Sequence, residues 1–130
     1  MTDEFKKSDD QKPLVDLKVR TRQFAVRIIH MYNILPQSVV AQTIGKQVLR
    51  SGMSVGAQYR EGIRARSDDE IISKWSGSLQ ELEETAYWFE LMVETNIVSS
   101  ERLLPLQREC DELIAIFTTC VKKIKSRNHK

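Results

Sequence analysis

Apolar residues recur every three or four positions along most of this chain, and short polar breaks divide the pattern into four amphipathic helices. The first is expected from about Leu14 to Asn33, and it is apolar on two sides. Val15, Val19, Val26 and Ile29 share one side, while Leu17, Phe24, Ile28 and Met31 share the other. A helix with two apolar faces needs two partners, so Leu17, Phe24, Ile28 and Met31 are expected to meet another subunit. Pro36 stops this helix, and Ser38 is a suitable N-cap for a second one reaching about Ala65. Its core stripe is Ala41, Ile44, Val48, Val55 and Tyr59. Gly45, Gly52 and Gly56 lie along one flank of that stripe. Each glycine inside a helix costs about 0.5 to 1 kcal/mol relative to alanine, so close approach of a neighbouring helix, within the bundle or across subunits, is the expected compensation.

Ser67 and Glu70 have the spacing of a capping box, and Asp68 and Asp69 suit the positive end of a helix dipole. The third helix starts there, with Ile71, Ile72, Trp75, Leu79, Leu82, Ala86, Phe89 and Val93 as its core stripe. Tyr87, Trp88, Leu91 and Met92 turn to other sides near its end and join the expected subunit interface. Residues 96–100 make the last turn. The fourth helix runs to about Lys125 on Leu106, Cys110, Leu113, Ile114, Phe117, Val121 and Ile124, with Pro105 expected in its first turn. Four long helices with short connections imply an all-α, antiparallel up-down-up-down bundle over residues 13–125. A polar arm (1–12) precedes it and a basic tail (126–130) follows.

Composition agrees, since 130 residues make one domain and 5 Gly with 3 Pro are few for an all-β chain. The net charge of +2 conceals a segregation. Residues 37–66 hold five Lys/Arg against one Asp/Glu, whereas residues 67–99 hold one against eight. Lys46, Arg50, Arg60 and Arg64 fall within roughly 80° of arc opposite the core of the second helix, and Arg66 follows them. Such a ridge has two readings. It can contact the phosphates of RNA or DNA, or it can pair with the acidic third helix.

Chemistry for catalysis is not apparent. The two histidines, His30 and His129, lack the preceding carboxylates of a bundle metal site, and the glycines of the second helix follow no strand as a phosphate loop would. Glu81, Glu83 and Glu84 read as a solvated or ion-paired face. No enzyme activity, metal or cofactor is expected. Cys110 and Cys120 lie ten apart in one helix, which turns them away from each other and suggests reduced thiols. The first twelve residues are charged without an apolar centre, and no apolar run is long enough for a membrane span, so a cytoplasmic location is expected.

The run from Arg50 through Ser51, Gly52, Met53, Ser54, Val55, Gly56, Ala57, Gln58, Tyr59, Arg60 and Glu61 to Gly62 is distinctive. It is followed by Arg64-Ala65-Arg66-Ser67, Glu70 and Gly77-Ser78-Leu79-Gln80-Glu81-Leu82-Glu83. This order resembles the four-helix-bundle proteins encoded in intervening sequences of bacterial 23S ribosomal RNA genes, whose relatives include the accessory variability proteins of diversity-generating retroelements. The resemblance implies an antiparallel bundle that assembles as a ring, typically a homopentamer, without catalytic activity. It also implies nucleic-acid binding and contact with a reverse transcriptase, as in the retroelement relatives, with Arg50, Arg60, Arg64 and Arg66 at the family's basic positions. This chain departs from the commoner pattern at Gln58-Tyr59-Arg60, where many members carry Asn-Ile-Ala, and in being only mildly basic. An adaptor oligomer that binds a protein partner and no nucleic acid is the other reading of these features.

Overall fold

The computed structural model describes residues 16–128 as four α-helices: α1 (Leu17–Asn33), α2 (Val39–Ile63), α3 (Asp68–Glu94) and α4 (Ser100–Asn128). The expected arm, residues 13–15 at the start of the expected bundle and the last two residues of the tail lie outside that range. Asp16 begins α1 by accepting N–H bonds from Lys18 and Val19, and Ser38 begins α2 by accepting from Ala41. Ser67 accepts from the Glu70 N–H at 3.1 Å, while the Glu70 carboxylate accepts from the Arg66 N–H at 2.9 Å. The capping box therefore closes one residue earlier than its usual geometry. α3 ends with Asn96 at φ 62°, and the Ile97 N–H reaches back to the Met92 carbonyl at 2.9 Å. That is a Schellman stop with asparagine in the left-handed position normally given to glycine.

α4 runs further than expected, through Asn128, so residues 126–128 are helix and not tail. Pro105 sits in the second turn of α4 and not the first, which deprives the Glu101 carbonyl of its partner. Its exposed position lets water serve that carbonyl.

Connections of four or five residues make successive helices antiparallel, and α2 packs against both α1 and α3, α3 against α4. The core is filled by Phe24, Phe89 and Phe117 with Ile28, Leu82, Met92, Leu103 and Leu113, all fully buried. Burying each contributes about 1.5–3 kcal/mol. The buried hydroxyls and the Cys110 thiol that enter this core are paired, as burial requires. Ser51 and Thr85 meet at 2.7 Å between α2 and α3, Ser78 donates to the Val55 carbonyl at 2.8 Å, and the Cys110 thiol donates to the Leu82 carbonyl at 3.3 Å.

The inward face of α1 is the reverse of the expectation. Leu17, Phe24, Ile28 and Met31, assigned to a subunit contact, are all buried inside the single chain, while Val26 and Ile29 are exposed. Met92 of α3, also assigned to the interface, is fully buried as well. The reason lies in α2: an added Cβ at Gly45 would meet Leu35 and Tyr32, at Gly52 it would meet Ile28, and at Gly56 it would meet Thr21. All three glycines thus face α1, and the α1 face that fits against them is the one carrying Thr21 and Ile28. On α3, Trp75, Leu79, Ala86 and Val93 of the expected core stripe are only partly buried.

Candidate functional site

The net positive charge of the described residues lies in α1, α2 and the turn after α2. Residues 16–66 hold nine Lys/Arg against two Asp/Glu, and residues 67–128 hold seven against twelve. The decisive question is which cations are already spent on carboxylates.

Arg50 is spent. Its guanidinium donates to Glu84 at 2.6 Å and reaches Glu81 at 3.4 Å, binding α2 to α3. Arg20 is spent more completely, with a bidentate fork to Glu109 at 2.7 and 2.8 Å and a further bond to Glu112 at 2.5 Å. These hydrogen bonds, Glu109 first, hold its pKa above the ordinary value despite partial burial. Arg127 pairs with Asp68 at 2.8 Å, which lowers the Asp68 pKa chiefly through that hydrogen bond and pins the end of α4 beside the α2–α3 turn. Lys74 pairs with Glu61 at 2.8 Å.

The remaining members of the expected ridge behave differently. Lys46 and Arg64 are exposed and make no ion pair among the described residues, and Arg66 engages Glu70 only through its backbone. Arg60 donates to the Lys18 carbonyl at 3.3 Å, which fixes its side chain across the α1–α2 seam and leaves its charge uncompensated. The ridge is therefore split: Arg50 belongs to the fold, and Lys46, Arg60, Arg64 and Arg66 face outward.

Several cations join this surface that the sequence pattern did not single out. Lys18 and Arg22 on α1 are exposed along the same seam. Lys122, Lys123 and Lys125 are exposed at the end of α4. Because α2 and α4 run in the same direction, their C-terminal ends converge, and the Arg127–Asp68 pair marks that convergence. The up-down topology was the signal that could have found them.

Between α1 and α2 runs a groove of about 260 Å³ lined by Thr21, Ala25, Met53, Gly56 and Ala57, with Arg22 and Arg60 at its mouth. On α3, Tyr87 is 53% exposed and tilts against Trp88 at 5.2 Å between ring centres, with Leu91 half-buried nearby. Trp88 Nε1 is buried with no hydrogen-bond partner among the described residues. No group of His, Cys, Asp and Glu among the described residues could hold a metal ion, and no helix there is long and apolar enough to cross a membrane.

These features define an antiparallel four-helix bundle with one cationic side and one acidic side. The chain belongs to the 23S rRNA-intervening sequence protein family, whose model matches residues 15–119. It is similar to a crystal structure of a protein of unknown function from the S23 ribosomal protein family of Bacteroides thetaiotaomicron VPI-5482. The two share 33% identity and a TM-score of 0.76, over 81% of this chain and 94% of that one. No curated protein matches it.

Proposed function

We propose that this protein is a non-enzymatic, self-associating bundle that binds RNA or DNA through backbone phosphates along its α1–α2 face and the adjoining basic end. The observation that carries this reading is the set of uncompensated cations, Lys46, Arg60, Arg64 and Arg66, on a half of the molecule with nine basic and two acidic residues. Unpaired Lys and Arg break no ion pair when they turn to phosphates, whereas Arg50 would first have to leave Glu81 and Glu84. Family membership supports the same reading, as does the resemblance to retroelement accessory proteins, which adds a reverse transcriptase as a protein partner. Self-association, with a pentameric ring as the form the resemblance implies, would use the exposed Tyr87 and the half-buried Trp88 and Leu91 beside it on α3.

Affinity for a labelled duplex, measured across a salt series, tests the phosphate reading. Binding should weaken linearly with the logarithm of salt, and Lys46→Glu with Arg64→Glu should reduce the slope by about one per residue. Absence of binding at low salt, or binding insensitive to salt, overturns it. Tyr87 is the observation favouring the adaptor reading, because a large exposed aromatic side chain suits a protein partner. Light scattering of wild type and Tyr87→Glu addresses assembly: a monomeric wild type rules out the oligomer.

A further inference from the structure

We propose that the groove between α1 and α2 seats one unpaired nucleotide of a bound strand, so that the protein prefers single-stranded over duplex nucleic acid; the proposal rests on the phosphate reading above. The groove exists because of residue size. Gly56 brings α2 so close to α1 that an added Cβ would lie 2.9 Å from Thr21 Oγ1, while the short side chains of Ala25 and Ala57 leave the space beside this contact unfilled. What remains is an opening of about 260 Å³ with a largely apolar floor.

Its chemistry matches a base and its phosphate. A base is a flat apolar surface, and Met53, exposed at the wall, offers a polarizable thioether that adapts to an aromatic face. Arg22 and Arg60 stand at the mouth with planar guanidinium groups, which can chelate a phosphate or stack on a base. Arg60 is already oriented by the Lys18 carbonyl, so part of the ordering cost of binding is met before the ligand arrives. A second copy of this chain is the less suitable occupant. Its carboxylates would have to reach Arg22 and Arg60, and on α3 and α4 Glu81, Glu84, Glu109 and Glu112 already hold Arg50 and Arg20. Such a contact would draw on others such as Glu83, Glu90 or Glu94 and would leave the apolar floor of the groove unfilled. A paired base is unsuitable too, because its faces are covered by its neighbours in the stack.

The test measures fluorescence anisotropy with a labelled single-stranded oligouridylate of about 15 nucleotides, and with an RNA duplex of similar length, on wild type and on Ala57→Leu. Ala57 is exposed, so leucine fills the groove without entering the core. Ala57→Leu should lose about tenfold in affinity for the single strand, a change of 1.4 kcal/mol, and remain within twofold on the duplex. Arg22→Ala should weaken the single strand more than the duplex. Circular dichroism and light scattering should match wild type. Equal losses on both probes, or no loss on either, would overturn the proposal while leaving phosphate binding intact. A changed molar mass in Ala57→Leu with binding unaltered would also overturn it and assign the groove to a second copy. Failure of wild type to bind either probe would instead remove the phosphate reading itself.

Discussion

The terminal methyl of Ile28 occupies the space that a side chain on Gly52 would need, and both residues are buried. This contact orients α1 on α2, and with it every surface described above. Overpacking a filled core costs about 1–3 kcal/mol, and alanine returns up to about 1 kcal/mol of helix propensity. Gly52→Ala is therefore expected to destabilise by about 1–2 kcal/mol in urea denaturation. Ile28→Val alone should cost about 0.5–1.5 kcal/mol. In the double variant the shortened side chain makes room for the new methyl, so the two costs should add to less than their sum; strict additivity would mean the contact is not the cause.

Thr85 donates its hydroxyl to the Glu81 carbonyl at 2.8 Å, so in the 2.7 Å contact with Ser51 the serine is the donor. Thr85→Val removes the acceptor and strands a buried hydroxyl, with an expected loss of about 1–3 kcal/mol. Ser51→Ala leaves Thr85 bonded and should cost less. The reverse ranking in thermal or chemical denaturation would contradict this assignment.

Asn96 holds a positive φ that a side chain with a Cβ tolerates poorly unless it is short and polar. Asn96→Gly should be neutral or mildly stabilising, whereas Asn96→Ala should cost about 1 kcal/mol. Melting temperatures of the two variants falling together would refute the strained stop to α3.

Charge reversals should separate folding from binding. Arg50→Glu opposes Glu81 and Glu84 directly and should lower the melting temperature. Lys46→Glu and Arg64→Glu break no ion pair among the described residues, so they should change nucleic-acid affinity and leave the melting temperature within a degree or two. A melting loss in Lys46→Glu equal to that of Arg50→Glu would place Lys46 among the structural charges.

Burial pushes the Cys110 thiol up to about 12, with Asp111 and Glu109 adding to the effect. A thiol whose folded pKa exceeds its ordinary value contributes fully below the ordinary 9.0 and loses that contribution as pH rises from 9.0 towards 12. Stability should therefore fall on the alkaline side of pH 9, and Cys110→Ala should flatten the fall even though it lowers stability at neutral pH. Tyr59, whose phenol burial also pushes up, adds a loss beginning above its ordinary 10.0, which Tyr59→Phe should remove. At pH 8 a thiol reagent should label the half-buried Cys120 well before Cys110.

Unlike the Asp16 cap and the Asn96 stop, which were not singled out, the four helices, the caps at Ser38 and Ser67 and the glycine flank of α2 were legible in the order of residues. Those features depend on groups a few positions apart, such as Ser67 with Glu70 or Pro36 after Asn33, and local geometry decides them. The inward face of α1 was not legible. A helical wheel sorts Leu17 and Phe24 from Val26 and Ile29, but only contact with Gly52 and Gly56 ranks the two sides. The arginine ridge divides for the same reason. Arg50 and Arg64 look alike on the wheel, and packing of α3 against α2 brings Glu81 and Glu84 to one and leaves the other free. Periodicity and capping, being short-range, belonged to the sequence; the choice of face, the pairing of charges and the convergence of the α2 and α4 ends required distant segments to meet, and only the tertiary structure decided them.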